Sequence, residues 1–224
     1  MRKTIFTPGE FYHIYNRGVE KREIFLSDAD YHRFLLSCHL LNDTTNGMMQ
    51  KYRDIYRAQN PKVRPSDIRR SDLGMPVARE KLIEMVAYCL NPNHYHMIVR
   101  EKESGGIKKF MQKIGTSYTM YFNKKYKRTG VLFQGKFKSI HIDSDAYLLY
   151  LSAYVNDNHF IHGYDDSEWQ YASYMDYIGK RNGRLCNTAY ILGHFKNQKE
   201  YDTFVKKNAL YLKEKKEREK YILE

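Results

Sequence analysis

His94 and His96 stand one residue apart at the head of the apolar, β-branched run His94-Tyr-His-Met-Ile-Val99. Side chains two apart on a strand share a face, so the two imidazoles project together while Tyr95 and Met97 point the other way. A pair of neutral imidazoles is half of a divalent-cation site; solvated or hydrogen-bonded strand histidines are the plain alternative. Further along, Tyr154 and Asn158 are four residues apart and share a face if one helix continues through both. The Asn158 amide oxygen is a candidate to complete a set begun by His94 and His96, which puts the Tyr154 hydroxyl one turn away as a candidate nucleophile. A phenol of pKa near 10 attacks poorly at neutral pH. A cation that polarises a phosphodiester would help it, and a phosphotyrosine would then store the bond for later joining. Mg²⁺ and Mn²⁺ both suit such donors, and two imidazoles favour Mn²⁺. Tyr154 is one of 21 tyrosines, so packing is its plain alternative. Tyr118 is a rival nucleophile, but Phe122 rather than a ligand follows it by four. Cys89, near both histidines, raises a structural zinc site, for which no Cys-x-x-Cys supplies further ligands.

The elements that must hold these residues are legible in outline. Residues 10–17 read as a strand closed by Gly18, with His13 facing away from Tyr12 and Ile14. His13 is a weak third-ligand candidate beside the reading of an ordinary strand histidine. Ser27-Asp-Ala-Asp30 reads as an N-cap before a helix carrying Tyr31, Phe34, Leu35, Cys38 and Leu41. Residues 42–79, polar and holding three prolines, read as an inserted surface lobe with a short helix over 49–59. Residues 83–90 form a strand, and the turn Asn91-Pro-Asn93 leads into the His-x-His strand. The hairpin is expected near the middle of the sheet. A helix is expected over 107–126, buried through Phe110, Ile114, Tyr118, Tyr121 and Phe122. A strand then ends at Ile142, and a helix runs over 146–157. This order is the α+β, ferredoxin-like split βαβ arrangement: a four-stranded antiparallel sheet with helices on one face, plus a catalytic helix and a C-terminal helical extension. The expected division is 1–178 and 179–224, the last helix reading as a solvated tail.

Charge narrows the partner. A net +12 and a pI near 9.4 point to a polyanion. No acidic residue falls between Ser104 and Ile142, where Lys108, Lys109, Lys113, Lys124, Lys125, Lys127, Arg128, Lys136 and Lys138 alternate with aromatics. Cations neutralise phosphates and aromatics stack on unpaired bases, so these are the candidate DNA contacts. No apolar run reaches the roughly 20 residues of a spanning helix, and the N-terminus lacks a signal-peptide core. Three distant cysteines suggest no disulfide framework, so a cytoplasmic protein without a membrane partner is expected.

Several ordered motifs carry a resemblance. His94-Tyr-His96 after Asn91-Pro-Asn resembles the HUH motif of the single-tyrosine transposases, those of the smallest insertion sequences and the REP-associated tyrosine transposases. Tyr12-His-Ile-Tyr-Asn-Arg-Gly18, Ser117-Tyr-Thr-Met-Tyr-Phe-Asn123, Gly130-Val-Leu-Phe-Gln-Gly-Lys-Phe-Lys138, Tyr154-Val-Asn-Asp-Asn158 and Trp169-Gln-Tyr-Ala-Ser-Tyr174 are similar to family segments, covering roughly residues 8–178. The resemblance implies a metal-dependent enzyme that cuts and rejoins single-stranded DNA. Tyr154 would form a 5′-phosphotyrosine, His94, His96 and Asn158 would hold the metal, and a homodimer would recognise hairpin DNA. The chain departs from the family in its 42–79 insertion, its C-terminal extension, and Asn156-Asp-Asn158 where relatives have Asn-Pro, so a second register puts the amide ligand at Asn156. The rival reading is a catalytically idle binder of single-stranded DNA or RNA hairpins.

Overall fold

The computed structural model describes residues 4–47, 49–51, 54, 80–164 and 169–222. In chain order it builds β1 (Phe11–Arg17), α1 (Asp28–Leu40), β2 (Ile83–Asn91), β3 (His94–Glu101), α2 (Gly106–Lys125) and β4 (Lys138–Ile142). There follow α3 (Asp145–Asn156), the single turns α4 (Asn158–Ile161), α5 (Tyr174–Tyr177) and α6 (Ala189–Leu192), and the long α7 (Gln198–Ile222). The sheet is antiparallel throughout, in the order β2-β3-β1-β4, the ferredoxin-like order. The β2–β3 hairpin is not central as a unit. The α1 crossover carries the chain beyond the place β3 later takes, so β3 returns between β2 and β1, and β2 is left at an edge.

Helices cover both faces. Tyr12 and Ile14 of β1 and Tyr95, Met97 and Val99 of β3 pack with Phe34 of α1 and Phe110, Ile114 and Tyr118 of α2. On the opposite face Ala87, Cys89 and Ile98 pack with Leu148, Leu151 and Val155 of α3 and Tyr201 and Val205 of α7. Double coverage explains why β3 is an unbroken apolar run beyond its histidines instead of an alternating one.

The α1 cap holds one layer together. Asp30 Oδ2 accepts from the Leu26 and Ser27 amides at 2.9 and 3.0 Å, while Lys125, Tyr121 and Tyr126 of the α2 end reach its carboxylate at 2.7, 3.0 and 2.6 Å. Burial pushes the Asp30 pKa up, but the Lys125, Tyr126 and Leu26 bonds outweigh it and hold the carboxyl below its ordinary value.

The last helix is not a solvated tail. Tyr201, Val205 and Ala209, at helical spacing among charged neighbours, are fully buried. They seat α7 against the face that carries α3. Of the 42–79 insertion, residues 49–51 and 54 are helical and Asn42 is pinned to β2 by paired bonds with Ile83 at 2.8 and 3.0 Å. The rest of the expected 49–59 helix, and of the insertion up to residue 79, lies outside the described residues.

Candidate active site

The turn that presents the histidines is clamped. Pro92 and Asn93 form its tip; Pro92 O accepts from the Ile24 and Phe25 amides and Asn93 O from the Gly18 amide, at 2.7 to 3.0 Å. A Cβ at Gly18 would lie 2.2 Å from the Arg22 carbonyl, so the close return of the chain there needs glycine. The register sets Arg17 beside His94, and Tyr15 beside His96 and Lys138. All five share the sheet face covered by α3.

Two residues separate β4 from helix α3, which is capped by Ser144 Oγ on the Tyr147 amide at 3.4 Å. It does not continue through residue 158 as one helix. The backbone leaves helical geometry at Asp157 (φ −113°, ψ 22°) and resumes as α4. The Ile161 amide still donates to Asp157 O at 3.2 Å, so the chain keeps its heading and Asn158 stays near Tyr154. The Tyr154 ring meets His96 edge-on at 5.4 Å and His13 at 6.1 Å. Asn156 turns inward instead, donating to the Tyr201 hydroxyl at 2.6 Å and accepting from Ser173 at 2.5 Å. The amide beside the histidines is therefore that of Asn158.

The donor arrangement fixes one tautomer. His94 Nδ1 lies 2.6 Å from Asn93 Oδ1, an oxygen that can only accept, so the ring proton sits on Nδ1 and Nε2 is bare. That bare nitrogen is 3.2 Å from Asn158 Oδ1. Two lone-pair atoms thus converge, and the amide nitrogen of Asn91 sits against both, 2.9 Å from His94 Nε2 and 2.6 Å from Asn158 Oδ1. Cation bonds of about 2.1 Å at right angles separate neighbouring donors by about 3.0 Å. The spacing and the oxygen-and-nitrogen chemistry fit a divalent cation. The His96 ring stands perpendicular to that of His94, centroids 5.3 Å apart.

Burial keeps the imidazoles neutral, as ligation requires. It pushes His13 and His94 each down to about 4, Lys216 and Arg17 adding to the fall at His94 and the Asn158 bond opposing it. His96 is driven well below its ordinary value, by burial first and then by the neighbouring histidines. Burial raises the Tyr154 phenol, against the Asn158 amide that pulls it down. Tyr154 is thus protonated at neutral pH until its surroundings change.

The remaining candidates separate by face. Tyr118 is buried under α2, donating to Ile24 O at 2.5 Å, far from the histidines across the sheet. The α2 lysines lie on that same far layer. Lys109 and Lys113 bind the carbonyls of Asp43, Thr44 and Thr45 at 2.6 to 2.7 Å, Lys125 binds Asp30, and Lys108 and Lys124 are exposed. Beyond α2, Lys127 and Lys136 are exposed and Arg128 caps Asn123 and Val131. Lys138 alone is tied to the site, 5.9 Å over the Tyr15 ring that stacks on His96 at 5.5 Å. The Cys89 thiol faces Asn91 Oδ1 at 3.7 Å and is pushed far up by burial; among the described residues no three His, Cys, Asp or Glu gather at cation spacing.

Sequence reasoning missed Asn91, Arg17, Tyr15, His162 and Lys216. The β1 residues were findable from strand alternation once the register was known. Lys216, 2.8 Å from the His162 ring that packs on His94 at 4.6 Å, sits in a charge run that gave no signal.

Residues 50–158 match the family model described as Transposase IS200 like. Over those residues the chain is similar to the IS200-like transposases. No curated protein matches it. Among solved structures, that of the REP-associated tyrosine transposase bound to a REP hairpin aligns at 13% identity, over 80% of this chain and 86% of that one, with a TM-score of 0.49. The family match takes in His94, His96, Tyr154 and Asn158. No described helix is long and apolar enough to cross a membrane.

Proposed function

We propose that this chain is a transposase of the IS200-like kind that cuts and rejoins single-stranded DNA through a covalent bond to Tyr154. The carrying observation is the convergence of His94 Nε2 and Asn158 Oδ1, 3.2 Å apart beside the Tyr154 ring. His94, His96 and Asn158 would hold Mg²⁺ or Mn²⁺, which supplies polarisation of the phosphodiester and compensation of developing charge. In cleavage the Tyr154 oxygen forms a bond to phosphorus and the bond to the 3′-oxygen breaks. The phenol proton passes to solvent and the 3′-oxygen takes one up. The 5′-phosphate stays on Tyr154 until a 3′-hydroxyl attacks it, reversing the step.

The chain's own residues divide the other work. Asn93 and Asn91 orient His94 and Asn158, and packing on His96 confines the Tyr154 ring. Arg17, Tyr15 and Lys138 line the approach on the same face and suit a single strand, one aromatic ring between two cations. The exposed lysines outside α3's face would hold more distant DNA, the hairpin among it. The protein is further proposed to act as a homodimer.

The test is product chemistry on single-stranded hairpin DNA from the flanks of the gene, with Mn²⁺. Cleavage must leave a 3′-hydroxyl that a polymerase extends and a blocked 5′ end. Tight binding with no cleavage under any divalent cation would return the idle-binder reading.

A further inference from the structure

We propose that His13 is the positioning residue of the cation site: it accepts the Nδ1 proton of His96 and so leaves His96 Nε2 bare for the cation. This rests on the proposed reading of His94, His96 and Asn158 as ligands. His13 Nε2 and His96 Nδ1 are 2.8 Å apart with both side chains buried, so water does not stand in for either partner.

Between two neutral imidazoles at that distance there is room for one proton. If it belongs to His13, then His96 Nδ1 accepts, the single ring N–H of His96 sits on Nε2, and that nitrogen cannot ligate. If it belongs to His96, then Nε2 carries the lone pair. His94 has no such freedom, because the Asn93 oxygen fixes its tautomer. His96 has a histidine where His94 has an amide oxygen, and His13 can serve as acceptor only by holding its own proton on Nδ1. His13 Nδ1 is buried with no hydrogen-bond partner among the described residues, so holding the proton there has a cost that cation binding at His96 Nε2 offsets. The pair is held in place: β1 pairs with β3 in this register, and Tyr15 stacks on both rings, at 5.0 Å from His13 and 5.5 Å from His96. Ligating histidines characteristically donate their second ring N–H to a fixed acceptor, and losing it weakens metal binding by about 10- to 100-fold.

The readout is Mn²⁺ affinity, by calorimetric titration of the metal-free full chain, with the thermal midpoint in EDTA as the check on folding. His13→Leu keeps the volume and removes the acceptor; its Mn²⁺ binding is expected to weaken about 10- to 100-fold. His13→Gln places an amide oxygen near the former Nε2 and is expected to restore most of the affinity. A folded His13→Leu protein that binds Mn²⁺ within twofold of wild type would overturn the inference. So would a folded His13→Gln protein no better than His13→Leu, which would leave His13 only a packing role. Failure of the wild type itself to bind Mn²⁺ would overturn the ligand reading and this inference together, and so distinguishes the two.

Discussion

The side-chain amide of Asn91 donates to Asn158 Oδ1 at 2.6 Å, joining the tip of the histidine hairpin to the corner between α3 and α4. The same nitrogen lies 2.9 Å from His94 Nε2, so one NH₂ group satisfies the two atoms that a cation would otherwise bridge. Asn91→Ala leaves the buried Asn158 oxygen and the partly buried His94 nitrogen without this donor. The metal-free protein should lose about 1–3 kcal/mol, read from urea midpoints at constant m. Saturating Mn²⁺ should shrink that loss, because the cation takes over both lone pairs. An equal loss with and without Mn²⁺ would separate Asn91 from the cation site.

The two faces of the sheet should part the lysines by phenotype. Lys138→Ala removes a cation beside Tyr15 and should weaken single-strand binding, lowering the salt-dependence slope by about 0.7. Lys113→Ala instead removes the clamp on the carbonyls of Asp43 and Thr45, so its main effect should be on stability. Binding isotherms at several salt concentrations, beside melts, read both. A larger binding defect in Lys113→Ala would mean that DNA wraps the far layer.

Much of this was legible from the residues. The aromatic and β-branched content of β1, the apolar run of β3, the Ser27–Asp30 cap and the apolar stripe of α2 state their structures locally, and the split βαβ order follows from them. The His-x-His pair and the Tyr154–Asn158 spacing pointed to one site because each is a short-range relation. What was hidden is long-range. Strand register alone brings His13 to His96 and Tyr15 to Lys138, and only the packing of both sheet faces shows that the basic α2 lies away from Tyr154. Helix α7 was misread for a related reason: three buried positions, Tyr201, Val205 and Ala209, are diluted among lysines and glutamates that dominate any local pattern.

That docking makes a further prediction about stability. Tyr201 accepts from Asn156 at 2.6 Å and donates to Ser152 at 3.2 Å in the buried layer under the site. Tyr201→Phe should cost about 1–3 kcal/mol by leaving the Asn156 amide unpaired. Truncation before α7 should do far more, since each large apolar side chain returned to water costs about 1.5–3 kcal/mol. A truncated chain with an unchanged melting temperature would restore the view of a dispensable tail.

Acid should act through Asp30. Its folded pKa lies below the unfolded value, so its contribution is complete above the unfolded pKa and is lost as pH falls through the folded one. Denaturation midpoints of the wild type should therefore fall more steeply below pH 4 than those of Asp30→Asn. The variant should be less stable at pH 7, where the Lys125 pair is intact only in the wild type. Parallel pH curves for the two proteins would show that the carboxylate carries no such linkage.

The central claim is that Tyr154 becomes covalently bonded to DNA, and denaturing electrophoresis of protein mixed with labelled single-stranded hairpin DNA and Mn²⁺ addresses it directly. The account predicts a shifted adduct that is absent in Tyr154→Phe, a change that removes only the hydroxyl. Loss of the adduct in His94→Ala should follow, with DNA binding retained. An adduct of undiminished yield in Tyr154→Phe would contradict the account and place the nucleophile elsewhere.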